Sequence, residues 1–475
     1  MKSTIRQDDR SETGVMAGGD RWVAGLEEAI DAALRALRRN PSGSPAIHQV
    51  RVAVPYMDPL DWLRAQPETQ RLFWCGRDES DARAAVGIAL DVRLGEGDPY
   101  QVIRRTLTPL LRDADPGVRF FGGMRFDLDR DAAAEWEGFG AGRFVLPRFV
   151  LEPAEAGSTL VCNLVVPADL DQPAAICQQA ARLAEPLASQ YALPVPIARQ
   201  DVPVHDAWAA TIDRAIQRFA SGALEKVVLA RRSRFTFAER LDATLLLQRL
   251  QAATPHCFHF LFQFDADAQF LGASPERLYQ REGRRIRSEA VAGTRPRGAS
   301  QERDAELKRE LLHSDKDRRE QAFVRDNIEE ALRALCVDVR VDDEPRLMEL
   351  AKGRHLCTLI EGSLADSAGD ADILERLHPT PAVGGVPLGE AMQDIRAGEG
   401  FDRGWYAGPV GWIGRDRAEF AVGIRSGQVS PRALTLYAGA GIVRGSEAEK
   451  EWAEIEHKIS DFLTVLGLDL RDVKY

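Results

Sequence analysis

The sequence predicts an α+β fold, on three observations. Short apolar runs that suit strands recur along the chain, helical periodicities are interspersed among them, and the two do not alternate as regular βαβ units. A chain of 475 residues, 44% hydrophobic and 28% charged, has ample material for a core and is neither disordered nor fibrous. Its formal net charge of -11 disfavours non-specific nucleic-acid binding, so an anionic ligand must be met by local cations. Six cysteines lie without a CxxC pair, no apolar leader opens the chain, and no run reaches the roughly 18 apolar residues that span a bilayer. These features point to a reducing cytoplasm and to no membrane segment.

Residues 1–20 are polar and Gly-containing and are expected to form a disordered tail. "DRWVAGLEEAIDAALRALRR" then sets Trp22, Leu26, Ile30, Leu34 and Leu37 at helical spacing, and "QVRVAV", "RFVLPRFVLE" and "TLVCNLVV" read as strands. The Pro-rich stretch "YALPVPIARQDVPVHD" marks a boundary between an N-terminal part, 21–200, and a second part, 205–470. The two are expected to build one integrated unit. In the second part "WAATIDRAIQRFA" predicts a helix, and "CFHFLFQF", "AQFLGAS" and "RRIRSEAVAG" predict strands. Helices follow near 301–312 and 315–335, then a strand at "RHLCTLIEG" and a last helix near 447–465.

Several charged residues sit where apolar ones are expected. In "LEKVVLARR", alternation puts Lys226 on one face with Leu224, Val228 and Ala230, while Val227 and Leu229 make the opposite face apolar too. The 315–335 helix carries an apolar stripe at Val324, Ile328, Ala331 and Leu335, and four residues before it stands Glu320. Either this acid faces inward, or it favours the positive end of a helix opened by Ser314. In the last helix Trp452, Ile455, Ile459 and Phe462 form the core stripe, with Glu447, Glu451, Glu454 and Lys458 along its edge. That edge suits a solvated ion-pair face or oxygen ligands for Mg²⁺. In "SPERL", Glu276 follows a Ser-Pro turn at the head of a strand, where an acid can also simply cap the turn.

Two further patterns are weak. Gly439, Gly441 and Gly445 in "YAGAGIVRG" lack the βαβ unit of a dinucleotide site and suit a close approach of backbone to a small ligand. An NAD(P)H-binding oxidoreductase built on those glycines would leave Lys226, Glu276 and both acidic helices without a purpose. His256, Cys257 and His259 have no second ligand pair at zinc-like spacing and read as structural.

Taken in order, "KVVLAR", "GASPERL", "AVAGTRPRG", "LLHSDKDRREQ", "RHLCT", "LHPTPAVGGVP", "DRGWYAGPVGW", "AVGIRS", "YAGAGIV" and "EWAEIEHK" resemble the chorismate-utilising enzyme family. The resemblance covers about 205–465, with weaker echoes in "FFGGMRFD" and "FVLPRFVL" back to about 118 and little in 1–110. Within the family the chain is most similar to isochorismate synthases. Members that make anthranilate typically carry glutamine where Lys226 stands and a "PAGTLSG"-like loop in place of "HPTPAVGG", and aminodeoxychorismate synthases often carry lysine where Ala292 sits. These differences favour water as the nucleophile. Salicylate synthases, the alternative, usually have a "TVTASG"-like loop.

The resemblance implies the chorismate-binding fold of anthranilate synthase component I, with two large antiparallel β-sheets packed across each other and helices outside. It implies that Lys226 is the general base for water attacking C2 of chorismate and that Glu276 is the general acid at the departing C4 hydroxyl. Burial pushes such a lysine toward neutrality and such a glutamate toward protonation. The implied cofactor is Mg²⁺ on the ring carboxylate, held by Glu320 and Glu454 with Glu451 in support. Arg425 and Lys458 are expected to receive the enolpyruvyl carboxylate, helped by N–H groups around Gly439 and Gly441. Gly293 is expected to approach the ring carboxylate, His355 to line the pocket, and Ala382 and Val383 to shape the space beside the reacting carbons. Gln321 departs from the family's "KDxxEH", which has histidine there. The implied partner is chorismate alone: no nucleic acid, no membrane, and a monomer without a glutaminase subunit.

Overall fold

Among the described residues, alternating apolar runs become 20 strands, and hydrogen bonds join them into one network in which every pairing is antiparallel. This computed structural model describes residues 18–468 apart from 40–44, 79–80, 96 and 187–191, so most of the expected tail lies outside the described residues.

The strand Gly142–Ala154 is the junction. One edge pairs with Arg83–Leu94, and the other pairs first with Arg119–Met124 and then with Gly157–Val166. Its apolar run is nearly continuous because both faces are covered. Pro147 in its middle has no N–H to give the ladder, and the register shifts beside it, between Ile88 and Leu90.

From the junction one arm runs through Arg119–Met124, Pro409–Gly414, Arg417–Val422, Arg277–Glu282 and Arg285–Pro296 to Gly353–Leu364. The other runs through Arg83–Leu94, Arg71–Cys75, Phe258–Gln263, Gln269–Ser274, Ser426–Ser430 and Ala433–Val443 to Lys226–Phe237. The two antiparallel sheets that the sequence leads one to expect are these arms, joined at one strand. They share a core: Trp405, before Pro409–Gly414, packs its ring 5.6 Å from Phe262 and 6.4 Å from Phe270, both in the other arm.

Helices cover the arms. The N-terminal helix Gly18–Arg39 buries Trp22, Leu26, Ile30 and Leu34, while Leu37 at its end is only partly covered. Helices Gln301–Leu312 and Asp315–Leu335 open on Ser300 and Ser314, whose hydroxyls accept from the N–H groups of Arg303 and Asp317. Asp315–Leu335 lies on the first arm, against Arg285–Pro296 and Gly353–Leu364, and Ala448–Val465 lies on the second, against Ala433–Val443. The Pro-rich stretch contributes a strand of its own, Pro196–Val202, paired with the Lys226–Phe237 strand. No helix among the described residues is long and apolar enough to cross a membrane.

Candidate active site

Where the arms and their helices meet there is a cleft of about 200 Å³. Every expected site residue except Lys226 lines it. Lys226 lies just behind the wall, fully buried, because a glycine makes room for it. A Cβ on Gly441 would stand 3.4 Å from Lys226 Cε and 2.7 Å from Glu320 Oε1, so a side chain there would push into the pair. Lys226 Nζ is 3.0 Å from Glu320 Oε1, an ion pair without hydrogen-bond directionality.

Glu276 sits between the strands Gln269–Ser274 and Arg277–Glu282. Its N–H donates to Ser274 Oγ at 3.3 Å, and its carbonyl accepts from Val422 N–H at 3.0 Å. Burial, with Glu289 nearby, pushes its carboxyl up to about 8 against the opposing charges of Lys226 and Lys458. The group is therefore a neutral acid at pH 7, able to donate a proton.

Cations also gather on the cleft wall. Arg425 adopts a left-handed backbone, φ 48°, uncommon for a residue with a side chain. Its Nη1 donates to the Lys458 carbonyl at 3.3 Å and lies 3.6 Å from Asp461. Lys458 Nζ donates to the Gly439 carbonyl at 2.9 Å and pairs with Glu454 at 2.6 Å. Burial raises the Glu454 carboxyl, but Lys458, Lys316 and Arg425 outweigh it and hold the group below the usual carboxylate range. Glu451 is pushed upward by burial, with Lys316 Nζ at 3.8 Å. Glu447, the first acid of the same stripe, is exposed and pairs with Lys450 instead.

His355 holds Nδ1 at 3.2 Å from the Gly293 carbonyl and 2.9 Å from Thr294 Oγ1. A carbonyl only accepts, which assigns the proton to Nδ1 and leaves Nε2 as an acceptor. Burial, then Arg425 and Lys458, depress this imidazole to about 3, so it stays neutral. Gly293 has φ 70°, and a Cβ there would stand 2.9 Å from the Asp317 Cβ. Ala382 and Val383 lie on a turn closed by N–H donation from Val383 and Gly384 to the Thr380 carbonyl. Arg403 ties that turn to the lysine strand, donating to the Val383 carbonyl at 2.9 Å and the Val228 carbonyl at 2.8 Å. Gln321 turns away from the cleft, its Nε2 donating to Thr358 Oγ1 at 2.6 Å.

Lys316 and Tyr406 line the cleft without having been assigned a role from sequence. Lys316 looks like an exposed helix residue by periodicity. Tyr406 stands in the motif "GWYAG", and its ring stacks on Tyr437 at 5.3 Å. His259 Nε2 contacts Thr254 Oγ1 at 2.9 Å, and among the described residues no three His, Cys, Asp or Glu side chains converge as a ready-made metal cage.

A neutral buried acid, a lysine–carboxylate pair and a basic wall, set in one small cleft of an antiparallel α+β fold, define an enzyme acting on a small anionic substrate. The chain belongs to the chorismate binding enzyme family, whose pattern matches residues 31–467. It is 33% identical over 483 aligned residues to isochorismate synthase 2, chloroplastic, of Arabidopsis thaliana, covering 95% of this chain and 86% of that one. Isochorismate synthase MenF of Escherichia coli (strain K12) is 32% identical over 94% of this chain and 99% of its own. The solved structure of MenF, the menaquinone-specific isochorismate synthase from Escherichia coli, superposes with a TM-score of 0.79 at 30% identity, covering 93% of this chain and 99% of that one. Anthranilate synthase component I from Streptococcus pneumoniae TIGR4, at 18% identity and a TM-score of 0.66 over 82% of this chain and 92% of that one, shares the fold.

Proposed function

We propose that the protein is an isochorismate synthase, an isomerase that interconverts chorismate and isochorismate. The observation that carries the reading is geometric: buried Glu276 lines the same cleft as Glu320, Arg425 and Lys458, and buried Lys226 stands directly behind its wall against Glu320. Water forms a bond to C2 and gives its proton to Lys226, the general base. The ring double bonds shift, the C4–O bond breaks, and Glu276 protonates the departing hydroxyl, which leaves as water. One water enters and one leaves, so the net change is an isomerisation. Arg425 and Lys458 receive the enolpyruvyl carboxylate, and Gly293 lets the backbone approach the ring carboxylate. His355, a neutral acceptor, adds no charge to the cleft, while Ala382 and Val383 limit space beside the reacting carbons.

Glu320 and Glu454, with Glu451 behind them, would hold Mg²⁺. Their donor set fits: all are hard oxygens on the cleft wall, and Mg²⁺ typically takes only one or two carboxylates and completes its shell with water and substrate. When bound, the ion supplies positive charge that draws electron density toward the ring carboxylate. The same proposal takes 21–200 and 205–470 as one unit, supported by pairing of Arg119–Met124 with Pro409–Gly414 and of Arg71–Cys75 with Phe258–Gln263. It includes a cytoplasmic monomer without a glutaminase subunit, in keeping with six cysteines scattered without a CxxC pair.

The test is incubation of the purified protein with chorismate and Mg²⁺, followed by chromatography of the products. Isochorismate is expected. Salicylate with pyruvate would move the reading to a salicylate synthase, and no turnover by folded protein would overturn it.

A further inference from the structure

Among the described residues of the first 110 none lines the cleft, yet Arg77 reaches the turn that carries the acid. It follows the strand Arg71–Cys75, and its Nη1 donates to the Pro275 carbonyl at 3.1 Å, across 198 positions of sequence. Its Nη2 pairs with Glu289, which also accepts from Arg277 Nη1 at 2.7 Å. Both guanidinium groups lie over the ring of Phe258, at 5.2 and 5.4 Å from its centroid. The Arg77 side chain is 18% exposed and that of Glu289 8%, so water screens this cluster poorly.

The turn Ser274-Pro275-Glu276 is also fastened to two neighbouring strands, the first through the pairing of Ser274 with Phe258. Ser274 Oγ donates to the Val422 carbonyl at 2.6 Å, and the Glu276 carbonyl accepts from Val422 N–H. Those bonds tie the turn to its strand neighbours, and the Pro275–Glu276 peptide plane is held on its N–H side by Ser274 Oγ at 3.3 Å and on its carbonyl side by Arg77. Arg77 grips that plane directly before the acid. It also pairs with Glu289, whose negative charge acts on Glu276.

We propose that Arg77 is a positioning residue for Glu276: by holding the Pro275 carbonyl and Glu289 together, it sets the direction in which the acid enters the cleft. The N-terminal part of the fold thereby takes part in turnover. This inference rests on the reading of Glu276 as the general acid.

Arg77→Met removes both polar contacts and keeps the length, while Arg77→Lys keeps one charge and one donor. In the chorismate assay, Arg77→Met should lower kcat about tenfold with KM changed less than about twofold, because misplacing a catalytic group costs rate rather than substrate binding. Arg77→Lys should recover most of the rate, and thermal melts should show both variants folded. Full activity in Arg77→Met would overturn the role, as would a loss carried by KM alone. A loss explained by unfolding and not relieved by Arg77→Lys would overturn it equally. A wild-type protein that makes no isochorismate would instead overturn the assignment of function on which the role depends.

Discussion

Lys226 Nζ lies 3.0 Å from Glu320 Oε1, and this contact joins a strand of one arm to the helix that covers the other. The space for it exists because Gly441 has no side chain. The ion pair holds the buried lysine against the carboxylate at the cleft wall.

Lys226→Gln removes the proton acceptor and retains much of the length. Isochorismate formation should fall by about 10²- to 10⁴-fold, the usual contribution of a general base. Product chromatography and circular dichroism on the same sample check this. A variant that keeps more than a tenth of the wild-type rate would place the base elsewhere.

Glu276 must carry its proton to act as an acid, so kcat should decline as pH rises through about 8. The same shift sets the sign for stability. Between the ordinary carboxylate pKa and about 8 the folded protein binds a proton that the unfolded chain has released, so stability falls as pH rises across that window. Glu276→Gln should therefore be inactive yet melt above wild type at pH 8.5, with the difference shrinking at pH 5. Equal melting temperatures at both pH values would contradict a buried neutral acid.

Chelation with EDTA should abolish turnover and added Mg²⁺ should restore it, with little change in the thermal melt. Glu454→Gln, which removes one proposed ligand, should raise the Mg²⁺ concentration for half-maximal activity at least about tenfold. An unchanged Mg²⁺ titration would remove Glu454 from the ligand set.

Arg403 and Glu399 are both almost fully buried and paired with each other. Arg403→Met strands the Glu399 carboxylate in the core and frees the carbonyls of Val228 and Val383, a loss of about 3–5 kcal/mol in urea unfolding. The double variant Glu399→Leu, Arg403→Met should be less destabilised than Arg403→Met alone, because no unpaired charge is left. A double variant that is the worse of the two would show that the hydrogen bonds, rather than the stranded charge, dominate.

Much of the fold is written locally. Trp22, Leu26, Ile30 and Leu34 recur at helical spacing and are buried, and Ser314 opens its helix as its hydroxyl allows. The two readings of Glu320 are compatible: it follows a Ser-capped helix start and also lines the cleft. Local rules reach this far because spacing decides which face of an element is apolar.

The sequence by itself determined which residues carry charge onto inward faces: Lys226 on a strand apolar on both sides, Glu320 and Glu454 beside core stripes, Glu276 behind a Ser-Pro turn. Only the tertiary structure decided that Lys226 sits behind Gly441 rather than on the cleft wall, that Glu276 is neutral at pH 7, and that Arg77 reaches Pro275. It also decided that the two expected sheets are arms of one network joined at Gly142–Ala154. Burial and charge pairing depend on which distant segments approach within a few ångströms, and no periodicity along the chain encodes that distance.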